Sequence, residues 1–381
     1  MSSTHELRAL RPALARHLPE LDGMRALSAL GVITAHMHTA LWDWLSGGRG
    51  VLIFFTISGF LITRLGLQEE ARQGRVHLGA FFIRRLFRLL PAYLVVLALY
   101  SVVIASLDLA SAKRALWMTA LPYYLTGLPE IPGVLGLDGV RHDIAFSHSW
   151  SLGIEAKFYL CYPPLMFGLL AAKRAWRLPL TVGLCLLFLS TPFWGIGPVA
   201  AILHPYASIL VGCVVALVLD HRAWSRLQAW LTRRHATTAA LVAFVLTHAA
   251  FTDTDATVWS SYDAILRSAY IVVFAWLFAT IVLGRSRVKR WLQARWLVYI
   301  GQLSYGVYLL HILCLNVAER ALGVTAHSGL AVNVLCFLLT AVLAVAGAAL
   351  MHAVVEAPCI RFGQDQARRL SPRHAEAVTT A

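Results

Sequence analysis

Charge is what this chain has least of. Asp, Glu, Lys and Arg make up only 14% of its 381 residues, and the acidic ones number 19 against 33 basic. A soluble domain carries about a quarter charged residues, so with 59% hydrophobic residues a polytopic membrane protein is expected. Cysteine pairs are missing as well. Cys161, Cys185, Cys213, Cys314, Cys336 and Cys359 are scattered in or beside apolar stretches, with no Cys-x-x-Cys or metal-like spacing. That argues against a disulfide framework and against a metal site, and leaves buried, inert thiols. Internal repeats, low-complexity tracts and interdomain linkers are absent from the sequence. The first twenty residues hold no apolar run, so a cleaved signal peptide is not expected.

What is present in quantity is apolar sequence in bilayer-length runs. About ten spanning helices are expected, over 22–42, 49–68, 89–110, 149–172, 178–197, 198–219, 237–254, 263–283, 298–319 and 328–352. The stretch 115–125 is too short to span and reads as a re-entrant or interfacial piece. If the N-terminus is cytoplasmic, most Lys and Arg fall on inner segments, and only Arg49, Lys113, Arg114, Arg141 and Arg320 fall outside. This asymmetry puts both termini in the cytoplasm and gives the net charge of +14 a topological origin, so nucleic acid is not needed as a partner. The chain thus divides into a cytoplasmic segment 1–21, an all-α transmembrane domain 22–361 and a cytoplasmic tail 362–381, read as disordered. A multi-pass protein of the cell inner (plasma) membrane is expected, with lipids as its surroundings.

Polar residues interrupt these runs at a few places. The first span carries Asp22, Arg25, His36 and His38. An ionisable side chain at membrane depth costs roughly 2.5–3.5 kcal/mol on insertion scales, so each is a functional candidate. Continued as one helix, the eleven residues from Arg25 to His36 make about three turns, placing the two on one face about 16 Å apart. The competing reading is a snorkelling arginine and a histidine bonded to a neighbouring helix. His36 and His38 point about 200° apart on a helix, so they are not a metal pair. In the second span, Ser58 and Gly59 form a small pair that lets another helix or a ligand approach the backbone. Arg85 and Arg88, at i and i+3 before Pro91, are helix neighbours whose like charges favour an anion between them, either a lipid phosphate or a phosphorylated ligand. Trp150-Ser-Leu-Gly-Ile-Glu155 enters the membrane with a carboxylate that needs a partner, for which His36, Lys157 and Arg267 are candidates. Ser304, Tyr308 and His311 share one helical face. Glu356-Ala-Pro-Cys-Ile-Arg361 ends the last span and reads as an anchoring ion pair at the cytoplasmic rim.

Together these stretches resemble the acyltransferase 3 family of membrane acyltransferases, over 21–361. The elements are Leu21-Asp-Gly-Met-Arg25 with His36, Phe54-Phe-Thr-Ile-Ser-Gly-Phe-Leu-Ile62, Arg85-x-x-Arg88, Trp150-Ser-Leu-Gly-Ile-Glu155 before Phe158-Tyr-Leu, Ser304-Tyr-x-x-Tyr-Leu-x-His311 and Glu356-x-Pro. The resemblance implies about ten transmembrane helices and acyl transfer, commonly of acetyl, from cytosolic acyl-CoA to a hydroxyl. Acetyl-CoA is then a donor substrate, and no bound cofactor is implied. It implies His36 as the catalytic histidine with Glu155 beside it in role, and Arg25, Arg85 and Arg88 as donor-binding residues. Asp22, Ser58, Trp150, Ser151, Tyr308 and His311 are implied as supporting positions. The usual Glu-Glu-Gln-Phe-Tyr pattern is altered here to Glu155-Ala-Lys-Phe-Tyr159. Many relatives carry an appended esterase-like domain, which is not expected within these 381 residues.

Imidazole can serve as general base or as acyl carrier, and Glu155 could fix its tautomer. The expected acceptor is a glycan or lipid-linked sugar. The alternatives are a small glycosylated metabolite such as a macrolide, and a proton-coupled permease or flippase that uses His36, Glu155 and Lys157 as a relay.

Overall fold

The computed structural model describes residues 17–37, 42, 45, 47–106, 111–135, 146–196, 198–250, 261–325 and 327–370. Its principal helices are α1 (Pro19–Thr34), α2 (Gly50–Gln73), α3 (Leu78–Ser106), α4 (Ser111–Leu125), α5 (Trp150–Pro163), α6 (Arg177–Leu189), α7 (Pro205–Asp220), α8 (Arg234–Ala250), α9 (Ser261–Leu283), α10 (Arg287–Leu292), α11 (Arg295–Gln302), α12 (Ser304–Leu322), α13 (Leu330–Met351) and α14 (Ala357–Leu370). No strand occurs among the described residues. Among the described residues each of the ten apolar stretches is helical over most of its length, although the first, expected over 22–42, stops being helix after Thr34. By length and composition, however, 5 helices could cross a membrane, or up to 6 if α11 and α12 count as one broken span. The chain is therefore an all-helical protein with several membrane-competent helices. Two units divide it, one of 1–68 with 173–304, the other of 69–172 with 305–381.

The first unit is built on backbone contact. α1 begins with Pro19 and has Glu20 and Asp22 in its first turn, where the unpaired N–H groups favour negative charge. Buried Glu20 takes Lys289 Nζ at 3.1 Å and Gln293 Nε2 at 2.8 Å, which ties α1 to α10. Glycines make the approach possible. A Cβ at Gly23 would lie 2.0 Å from the Leu292 carbonyl oxygen, and one at Gly301 would lie 1.9 Å from that of Asp22. α2 and α7 cross reciprocally: Gly59 faces the Ile209 oxygen and Gly212 that of Thr56. This is the small-residue packing that apolar helices use in lipid, and it is what the Ser58-Gly59 pair suggested. Ser58 itself is buried. Phe60 meets Phe278 edge-on at 5.0 Å, joining α2 to α9 in the apolar core of this unit.

In the second unit α3 runs 29 residues without stopping at Pro91. The expected start near residue 89 is displaced to Leu78, so Arg84, Arg85 and Arg88 stand on the same helix as the apolar run. Tyr305 donates to the Leu89 carbonyl at 2.8 Å, within the turn that Pro91 loosens. Behind it Tyr100, Trp117, Tyr124 and Phe146 form a buried aromatic cluster. Thus α4, the stretch expected to be re-entrant or interfacial, is a helix with Trp117, Ala120 and Tyr124 packed inward. α5 widens at Pro164–Leu169 into a π turn, with Leu170 N–H on the Leu165 carbonyl. Adjacent Pro163 and Pro164 supply no N–H of their own. A second π turn, His352–Glu356, precedes Pro358 and leads into α14. The part of the tail from 362 to 370, expected to be disordered, is helical and packs on α3 through Gly363, Phe362 and Phe87. Cys185, Cys213 and Cys336 are buried as expected, whereas Cys161 is exposed.

Candidate active site

His36, Arg25, Asp22 and Ser58 belong to the first unit. α1 does not carry His36 as a continuous helix: it ends at Thr34, and His36 sits in the turn that follows. The cause is local competition for carbonyls. Thr34 Oγ1 takes the Gly31 oxygen at 2.7 Å, His36 Nδ1 lies 3.0 Å from the Val32 oxygen, and the His36 N–H falls back on Ile33 at 3.1 Å. The three-turn relation to Arg25 therefore stops short of His36. A carbonyl only accepts, so in the neutral ring Nδ1 carries the proton and Nε2 the lone pair. His38 lies outside the described residues. Asp22 is buried and receives His17 Nε2 at 2.9 Å. Arg25, half-buried, makes no ion pair among the described residues.

The second unit holds Arg85, Arg88, Trp150, Ser151, Glu155, Tyr308 and His311. Glu155 accepts a hydrogen bond from the hydroxyl of Tyr159, one turn further along α5. Arg85 donates to the same hydroxyl at 3.4 Å and lies over the Tyr159 ring at 4.7 Å and that of Phe81 at 5.8 Å. Arg85, Tyr159 and Glu155 thus form one chain, in which the stacked guanidinium is held in a fixed plane. Arg88 is exposed on the next turn of α3. Lys157, a sequence candidate for Glu155, is instead bound to buried Glu130, with further bonds to the Gly127 oxygen at 3.0 Å and the Gly153 oxygen at 3.3 Å. Residues two apart on a helix diverge by about 200°, which is why Lys157 turns away from Glu155.

Above Glu155 the start of α5 is fastened to α12. Tyr308 donates to the His148 carbonyl at 2.7 Å and its hydroxyl lies 2.6 Å from Ser151 Oγ. The His148 and His311 rings pack at 4.9 Å, and both are buried. Trp150 is half-buried at the first position of α5. Glu356 is bonded by His352 at 3.0 Å rather than by Arg361. The i, i+4 pair shares a helical face and the i, i+5 pair does not.

Sequence reasoning missed Tyr159, His148 and Glu130. Tyr159 was within reach of a simple rule, because it stands four residues after Glu155 on one helix. His148 and Glu130 enter through loop geometry that carries no periodic signal.

The comparisons with known proteins agree with the motifs. The family model described as an acyltransferase domain matches residues 18–353. The "Putative peptidoglycan O-acetyltransferase YrhL" of Bacillus subtilis (strain 168) is 30% identical over 346 residues, 85% of this chain and 53% of that protein. The "O-acetyltransferase OatA" of Staphylococcus aureus (strain NCTC 8325 / PS 47) is 34% identical over 163 residues, 41% of this chain and 26% of the relative. The chain spans about half the length of the first relative and about a quarter of the second. No solved structure matches it. With its motifs in order and a family match from residue 18 to residue 353, the chain belongs to the acyltransferase 3 family.

Proposed function

We propose that the chain is a membrane-embedded O-acetyltransferase of the inner (plasma) membrane. It takes an acetyl group from cytosolic acetyl-CoA and passes it to a hydroxyl of a glycan or lipid-linked sugar. Relatives named as O-acetyltransferases, one of them for peptidoglycan, support the reaction and the class of acceptor.

The observation that carries this reading is the His36 ring. Its Nδ1 rests on the Val32 carbonyl, which leaves Nε2 as the basic nitrogen. Nε2 takes the proton of the acceptor hydroxyl as the oxygen attacks the thioester carbonyl. The tetrahedral intermediate collapses to the ester, the C–S bond breaks, and the departing CoA sulfur takes that proton from the imidazolium. Arg85 and Arg88 are assigned to the donor's phosphates, for which the guanidinium fork is suited. Arg25 is assigned to the donor's path toward the thioester. Glu155 holds Tyr159 and, through it, Arg85. A proton relay through Glu155 and Lys157 is disfavoured because Lys157 is committed to Glu130.

The test is transfer from radiolabelled acetyl-CoA to cell-wall glycan in membranes containing the protein. His36→Ala is expected to lower the rate by about 10²-fold or more, the lower range for a lost general base. Full activity of the variant would remove His36 from the chemistry.

A further inference from the structure

A second polar cluster lies in the first unit and has no part in the roles assigned above. Four chain segments meet there. Arg49 immediately precedes α2, His204 immediately precedes α7, His248 is in the last turn of α8, and Arg267 and Ser268 stand near the start of α9. Arg49 donates to the His248 carbonyl at 2.9 Å and lies over the Tyr270 ring at 5.8 Å. His204 Nε2 lies 3.3 Å from Ser268 Oγ. Arg49 and Arg267 are close enough to repel one another, and Arg267 acts on His204 in the same way. Arg49, Arg267 and His248 are half-buried, and His204 is buried.

This cluster is at the same end of the unit as His36. Gly47, two residues before Arg49, is pressed onto the last turn of α1. A Cβ there would fall 1.8 Å from the Gly31 oxygen and 2.6 Å from Thr34 Oγ1, and Thr34 is two residues from His36. The Lys and Arg distribution assigns this end to the outer side. Like charges gathered at the mouth of an apolar bundle attract an anion, and guanidinium forks match a carboxylate or a phosphate. His204 and Ser268 add shorter hydrogen-bonding groups beside them.

We propose that Arg49 and Arg267, with His204 and Ser268, form an anion subsite that takes a carboxylate or phosphate borne by the glycan acceptor and so presents a neighbouring hydroxyl to His36. This rests on the acyl-transfer reading for the identity of the molecule that carries the anion and for the role of His36.

The experiment uses the full chain in nanodiscs of neutral phosphatidylcholine. The probes are glycan oligomers whose alternate sugars bear a lactyl carboxylate, and the same oligomers with that carboxylate reduced to an alcohol. Binding and acetyl transfer are both measured. The wild-type chain should bind the carboxylate form about tenfold or more tightly, as expected for a charge-assisted hydrogen-bonded contact, and Arg267→Gln should collapse this preference. Arg49→Lys keeps the charge but loses the fork, and should weaken the preference less. Equal loss on both glycans would make the arginines structural and overturn the subsite. So would a chain that ignores the carboxylate yet is stabilised through Arg49 and Arg267 by phosphatidylglycerol, which would assign the cluster to lipid headgroups. Selective binding without any acetyl transfer would leave the subsite standing and sink the enzymatic reading instead.

Discussion

The two units place their polar groups by different means. In the first, glycines bring helix backbones into contact. At Gly23, Gly47, Gly59, Gly212 and Gly301 an added Cβ would fall between 1.8 and 2.0 Å from a carbonyl oxygen. In the second, the close glycines meet side chains first: Gly153 meets Glu130, Gly306 meets Ala348 and Met351, Gly347 meets Leu310, and Gly363 meets Phe87. Its polar groups are positioned by other side chains, as with Tyr159 between Arg85 and Glu155, or Tyr308 between His148 and Ser151. A backbone contact cannot relax by a rotamer change, whereas a side-chain network can re-form around a lost member. Position in the first unit is therefore rigid and unforgiving. In the second it is adjustable, and vulnerable mainly where a charge is buried.

The sharpest way to break this contrast is Gly301→Ala. Its Cβ has no room beside the Asp22 oxygen at 1.9 Å, so α1 and α11 must separate. A loss of about 3 kcal/mol or more is expected, at the upper end for overpacking, read as a lowered thermal midpoint in detergent micelles. A midpoint within a degree of wild type would deny that backbone contact fixes this unit. Next comes Lys157→Met, which strands the buried Glu130 carboxylate at a cost of about 3 kcal/mol. The double change with Glu130→Gln should recover most of that loss, because the uncompensated charge is then gone. No recovery would show that Lys157 matters for something other than the pair. The smallest effect belongs to Gly347→Ala on α13. The new Cβ lies 3.2 Å from the end of the flexible Leu310 side chain, and alanine gains up to about 1 kcal/mol of helix propensity over glycine. A change within about 0.5 kcal/mol of neutral, or a slight gain, is expected from the same melts, and a large loss would erase the distinction between the units.

Much of this was legible in the sequence because it depends on neighbours along the chain. Among the described residues each apolar stretch is helical over most of its length, the polar face of Ser304, Tyr308 and His311 is buried as one face, and the Ser58-Gly59 pair marks a close crossing. The failures share a cause. The end of α1 before His36 depends on which side chains take the last carbonyls. The passage of α3 through Pro91 depends on a neighbouring helix supporting the loosened turn, where Tyr305 reaches the Leu89 oxygen. The partner of Lys157 is a carboxylate on a loop 27 residues earlier, at Glu130.

By itself the sequence determined that this is an all-helical chain made for an apolar surrounding, and it determined the order of the motifs that identify its family. Both follow from composition and from spacings of a few residues, over which helical geometry is fixed. Only the tertiary structure decided which carbonyl holds His36, which hydroxyl joins Arg85 to Glu155, and that Arg49 and Arg267 gather at one end of a unit. The pairings of Arg85 with Tyr159 and of Arg49 with Arg267 link residues far apart in the chain and are selected by how closely the helices can approach. The His36 contact with Val32 is settled by which groups take the last carbonyls of α1; helical spacing encodes neither.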